Sequence, residues 1–213
     1  MQRSKIHLDW KFINARDRLI YNLTYLDIIL RRIRKEVRLI TETELERGYN
    51  ELRLDIESYF VFHRSIMDIF ATLVPYFYSK HSKEIKSDSF EAKRNWYIKT
   101  NPQFDPEYTR YLKSMRWFVL LKESRDNMIH RRAFPLIYEE DGIITFNLVK
   151  GLKHITETIE VEYFFDLQIR NLFEFLEFYT DHFTKVVQDN FSNYQYTNFP
   201  SKISGLRELE TIL

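Results

Sequence analysis

MRWFVLLKESRDNMIHRRAFPLIYEEDGIITFNLV, residues 115–149, changes its hydrophobic period partway along. In its first half Trp117, Leu121 and Met128 fall within about 40° of one another at 100° per residue, which defines the buried face of a helix. Pro135 ends that pattern, because it drives Phe134 out of the helical region and stops the helix near Arg131 or Arg132. Beyond it, FPLIY and IITFNLV are β-prone runs on either side of EEDG. Asp141-Gly142 is a dipeptide that tight hairpins favour. A long helix running into a hairpin sets the expected class: mainly α, with a small β-hairpin appendage after this helix.

Working outward, the helix begins around Pro106, a residue suited to a first turn. Residues 80–105 are polar and carry Pro102, so they read as a loop with room for one short helix. A long helix precedes them, from near Glu51 through RLDIESYFVFHRSIMDIFATLV, and Pro75 should end or kink it. The first helix spans about residues 5–40, with Ile6, Trp10, Ile13, Ile20, Leu23, Leu26, Ile29, Leu30, Ile33 and Val37 as its apolar set. Between these two, Thr41 and Glu44 have capping-box spacing and Gly48 is a stop signal, which suggests a short helix or an ordered connection.

On the far side, HITETIEVEY offers a third strand. Residues 161–187 return to a helix whose apolar set is Phe164, Leu167, Leu172, Phe175, Leu176, Tyr179 and Phe183. The expected architecture is an antiparallel helical bundle forming one domain over 1–213. Residues 134–160 are its β appendage and 188–213 a weakly structured tail.

Composition supports a packed core: 44% of the 213 residues are apolar and 16% aromatic, with only four Gly and five Pro. A net charge of +1 provides no global field for nucleic acid or anionic lipid, so a polyanion contact needs a local patch. With no cysteine, disulfide and thiol chemistry are excluded. The N-terminus lacks an apolar signal-peptide region, and no apolar run reaches the roughly 20 residues of a membrane span. A cytoplasmic setting without membrane attachment is expected.

The chemistry-bearing residues cluster at the end of the third helix. Arg125 lies at the edge of the buried face, and His130 sits about 140° away on the polar side. Asp126 is one turn before His130, where its carboxylate can orient the imidazole and favour its charged form. Two accounts are open: a catalytic pair, or cations that His130, Arg131 and Arg132 place at the negative end of a helix. If Arg125 and His130 share a substrate, the arginine wraps around its helix or a second subunit completes the site.

SRDNMIHRR, at the end of a helix with an aromatic and leucine stripe, resembles the signature of the HEPN superfamily, an Arg, a polar residue and a later His. Here these are Arg125, Asp126 and His130. FHRSIMDIF resembles the long helix that precedes the motif in several HEPN families. The resemblance covers roughly residues 50–131, and the C-terminal helix loosely. It implies a homodimeric, metal-independent endoribonuclease that needs no cofactor, in a toxin or anti-phage setting, with RNA and an antitoxin or other defence protein as partners. Other members are non-catalytic modules that bind RNA or protein.

Under that resemblance, His130 removes the ribose 2′-hydroxyl proton or protonates the 5′-oxygen leaving group. Arg125 holds the scissile phosphate and stabilises its added charge. Arg131 and Arg132 contact neighbouring phosphates, and Asp126 and Asn127 support the site. DNA, lacking the 2′-hydroxyl, should resist cleavage. The sequence departs from the commoner pattern at Asp126, where Asn often stands, which adds negative charge beside a phosphate site.

Other features have two readings each. Arg64 and Asp68 are i,i+4 on the second helix, either a partly buried pair fixing register or a second layer supporting Arg125. RRIRKEVR, residues 31–38, is either a solvated helix face or an RNA-backbone stripe. The histidines at 7, 63, 81, 130, 154 and 182 lack metal-ligand spacing, and neither a Gly-rich phosphate loop nor a Ser or Cys nucleophile motif occurs.

Overall fold

The computed structural model describes residues 2–43, 46–78, 89–131, 135–150 and 155–191. The chain is mainly helical with one small antiparallel sheet. Helices α1 (Gln2–Thr43) and α2 (Glu46–Leu73) form a long hairpin. Asn22 donates to Ser65 at 2.9 Å, Tyr25 stacks on Phe62 at 5.2 Å and Arg32 donates to Asp55 at 3.0 Å. Partners thus rise along α1 as they fall along α2, which makes the pair antiparallel. Leu26, Leu30, Ile33 and Val37 are buried in the seam, whereas Ile13 and Ile20, assigned to the apolar face by periodicity, are exposed.

Two expectations for the connection fail. Thr41 does not cap a new helix: its hydroxyl donates to the Val37 and Arg38 carbonyls inside α1. Glu44 lies outside the described residues. Gly48 does not stop a helix either, because it stands in the first turn of α2, where α1 crosses closely. A Cβ there would lie 2.8 Å from Ile40 Cγ1, so the glycine is a packing residue. Pro75 does end α2, opening a 3₁₀ turn over Val74–Phe77.

Residues 79–88 lie outside the description, after which α3 (Phe90–Asn95) continues into a wide turn over Trp96–Thr100. The expected third helix is two helices, α4 (Pro106–Ser114) and α5 (Arg116–Arg131). Met115, at φ −72° and ψ 67°, breaks the axis while its side chain stays buried. Arg94 Nε donates to the Leu112 carbonyl at 2.9 Å, satisfying an oxygen the break leaves open. Because the buried Leu112, Met115, Phe118 and Leu121 keep a helical spacing across it, the sequence hides the break.

Strands β1 (Ile137–Glu140), β2 (Ile143–Lys150) and β3 (Ile155–Glu160) pair in that order, all antiparallel. Asp141 and Gly142 both take positive φ, 52° and 77°, as the expected tight turn requires. The sheet is more than an appendage, since alternate residues Ile144, Phe146 and Leu148 belong to the main core. Phe146 meets Phe164 and Phe165 of α6 (Val161–Phe191) at 5.2 and 6.0 Å. Helix α6 begins directly after β3 and reaches into the segment expected to be a tail; residues 192–213 lie outside the description. Its expected apolar set is buried except Leu167.

A polar node pins α4 to α6. Asp105 Oδ1 accepts from the Tyr108 backbone N–H at 2.9 Å and caps α4. Its Oδ2 accepts from the Tyr78 hydroxyl at 2.5 Å and lies 2.7 Å from His182 Nε2. Burial pushes the Asp105 carboxyl up, but the hydrogen bonds from His182, Tyr78 and the Tyr108 N–H outweigh it and hold the group below its ordinary value.

Among the described residues, no helix is long and apolar enough to cross a membrane.

Candidate functional site around Arg125

Helix α5 packs on α2 and β2. Phe118, Leu121, Ser124 and Met128 are buried and Trp117 is only half-buried, so the face that seats α5 keeps the expected Leu121 and Met128 but takes Phe118 and Ser124 in place of a fully buried Trp117. Arg125 stands beside that face with its side chain 30% exposed. It lines a cleft of about 110 Å³ with Met128 and Ile129 of its own helix and Glu57, Phe60 and Val61 of α2. The cleft is apolar apart from one cation and one carboxyl, which strengthens electrostatic interactions inside it.

Arg125 Nη1 donates to Asp126 Oδ1 at 3.0 Å. The carboxylate that the sequence offers to His130 thus accepts from the neighbouring guanidinium. Asn127, the other supporting residue, is buried. His130 and Arg131 are the last two helical residues; their side chains, and Arg132, lie outside the described part. The helical backbone carries His130 five residues past Arg125, so the angular separation read from the sequence holds for the main chain.

Arg64 and Asp68 form the expected pair, with Arg64 Nη2 3.3 Å from Asp68 Oδ1. The same arginine donates to Ser89 Oγ at 3.1 Å, and its guanidinium lies 5.0 Å from the Phe118 ring centre. Asp68 Oδ1 also accepts from the Phe90 backbone N–H at 2.8 Å, tying α2 to the start of α3. Burial raises the Asp68 carboxyl, while the Phe90 N–H and the charges of Arg64 and Arg125 oppose the rise. The pair therefore fixes packing, and Asp68 lies within the electrostatic reach of Arg125.

The basic run on α1 is largely matched by acids. Arg31 pairs with Asp27 at 3.0 Å, Arg32 with Asp55 at 3.0 Å and Arg34 with Asp166 at 2.9 Å. These contacts favour a solvated, ion-paired face over a phosphate-binding stripe. No group of three His, Asp or Glu side chains among the described residues is placed to hold a metal ion.

Glu57 is the cleft residue that sequence reading passed over. Its Oε1 is buried without a hydrogen-bond partner. Burial raises its carboxyl, and Arg53 one turn earlier acts against that rise. On α2 alone Arg53 and Glu57 look like an ordinary i,i+4 surface pair. Only the packing of α5 on α2 brings Glu57 to Arg125.

The cleft's apolar rim reaches solvent: Val61 of α2 and Ile129 of α5, which line it, are both exposed. Tyr21, Tyr25 and Ile28 of α1 are exposed as well, and the Tyr25–Phe62 stack joins them to the outer side of α2. Scattered exposed apolar residues are ordinary, but a group beside a charged cleft suits an interface.

No family model, curated protein or solved structure matches the chain.

Proposed function

We propose that the protein is a metal-independent endoribonuclease of HEPN type, cleaving RNA by attack of the ribose 2′-hydroxyl on the adjacent phosphate. The observation that carries this reading is Arg125, placed in a partly desolvated cleft on the same helix that carries His130 in its last turn. The guanidinium supplies bidentate donors for a phosphate and added stabilisation as negative charge builds in the transition state. His130 supplies a group that titrates near neutral pH. Arg131 and Arg132 contact flanking phosphates.

Helical geometry separates Arg125 from His130, so two copies complete the site, their cleft mouths meeting at Val61 and Ile129. The biological setting we favour is a cytoplasmic toxin or anti-phage system in which an antitoxin or other defence protein is a further partner.

The test is incubation of the purified protein with single-stranded RNA and a matched DNA in excess EDTA. The expected outcome is cleavage of RNA alone, with His130→Ala slower by about 10²–10⁴-fold. Intact RNA, or equal cutting by the variant, overturns the reading.

The exposed apolar group around the cleft also favours a second reading, a non-catalytic helical module that binds RNA or a protein partner through this face. That reading requires His130→Ala to keep the biological phenotype.

A further inference from the structure

Helix α1 presents more than its seam with α2. On another side Arg18, Tyr21, Tyr25, Ile28 and Arg32 fall within about 80° of one another at 100° per residue, and all five are exposed. The two tyrosines belong to a stack. Tyr25 lies nearly parallel to Phe62 of α2 with ring centres 5.2 Å apart, and Tyr21 follows at 4.4 Å from Tyr25. Tyr21 is 55% exposed. Arg18 stands one turn before it, and Arg32, at the other end of the stripe, donates to Asp55.

The chemistry of this stripe decides between occupants. A protein helix packed on it would bury two arginines, and a desolvated charge is costly. A nucleobase has a π-face that continues an aromatic stack, and a guanidinium beside the stack holds the adjoining phosphate. Only an unpaired base can be splayed out to offer that face. The ladder also adjoins the Arg125 cleft. Its inner ring, Phe62, directly follows the cleft residue Val61 on α2, and the two side chains point to different flanks: Phe62 to α1, Val61 to α5. The ladder therefore lies beside the Val61–Ile129 contact between copies, not in it, and each copy brings its own.

We propose that Phe62, Tyr25 and Tyr21 form a stacking platform for single-stranded RNA, with a base seated on Tyr21, a phosphate held by Arg18, and the strand led on to the Arg125 cleft. The choice of RNA rests on the ribonuclease reading above, but the platform is tested by binding and not by cleavage.

The experiment follows the fluorescence anisotropy of a labelled single-stranded RNA, and of the same sequence as a duplex, with the full chain carrying His130→Ala so that the RNA stays whole. Tyr21→Ala, Tyr21→Phe and Arg18→Gln are each added to that chain and checked by thermal melts. The single strand is expected to bind more tightly than the duplex. Tyr21→Ala should weaken its binding by about 5- to 150-fold with the salt dependence unchanged, whereas Tyr21→Phe keeps the ring and most of the affinity. Arg18→Gln should lower the slope of log affinity against log salt by about 0.7, the share of one phosphate on a single strand.

A Tyr21→Ala chain that binds RNA as its parent does, or a duplex bound as tightly as the single strand, overturns the platform. If Tyr21→Ala keeps RNA binding and instead loses a two-chain mass in light scattering, the face belongs to a second copy. If Tyr21→Ala melts early, an unchanged salt slope in Arg18→Gln is the overturning result. A wild-type chain that cuts no RNA but binds it through Tyr21 overturns the ribonuclease reading and leaves the platform standing. One that neither cuts nor binds RNA overturns both.

Discussion

His63 makes the stability of this fold depend on acidity in a window that can be isolated. The side chain is fully buried under α5, 5.6 Å from the Trp117 ring, and its Nδ1 lies 3.0 Å from the Tyr59 hydroxyl. Burial lowers its imidazole from 6.5 to about 3. Below pH 6.5 the unfolded chain takes up a proton at this position and the folded chain does not. Stability therefore falls as pH falls from 6.5 towards 3, by about 1.4 kcal/mol per pH unit. Between pH 6.5 and about 4.5 the loss is about 2.3 kcal/mol, which for a chain of this size lowers Tm by roughly 5–9 °C. His63→Gln keeps a polar group beside Tyr59 but has nothing to titrate. Thermal melts of parent and variant by circular dichroism, taken across this range, isolate the difference in slope. The raised carboxyls of Asp55, Glu57 and Asp68 act in the opposite direction near their own titration, and they cancel in the comparison. Equal slopes for the two proteins would refute the assignment of a neutral, buried His63.

Two other outcomes follow from the packing and the surface. Asp105→Ala removes the α4 cap and the acceptor of Tyr78 and His182, so we expect a loss of about 3–5 kcal/mol, read as a lower denaturant midpoint. Because the Asp105 carboxyl is held low, that stabilisation is present above pH 3.8 and is lost as pH falls through its folded value, so the two midpoints converge in acid. Ile129→Asp puts a charge at the apolar cleft mouth and should convert a two-chain mass in light scattering to one chain without lowering Tm; a parent of single-chain mass at micromolar concentration overturns the dimer.

Much of the fold was legible because the dominant signals are local. Pro75 ended α2, Pro106 opened α4, and Asp141-Gly142 turned the hairpin, each through a backbone constraint of one or two residues. The failures share a different cause. Gly48 reads as a terminator in isolation and is instead required by the crossing of α1, a fact held in Ile40, eight residues away. Met115 breaks a helix without glycine or proline, because Arg94 and the core satisfy what the break exposes. Ile13 and Ile20 fit the period of α1, yet no partner covers them among the described residues.

The site divides along the same line. Arg125 and the Arg64–Asp68 pair were readable from spacing on their own helices, and the structure sets them within electrostatic reach of one another. Glu57 was not readable, because its meaning depends on which face of α2 meets α5. That distinction bears on how the motif should be weighed. A helix-end arginine and histidine alone are equally suited to neutralising a helix dipole. An arginine in an apolar cleft beside a half-buried carboxyl is not explained by the dipole, since Arg125 stands six residues before the end of α5 and the dipole acts over the last turn.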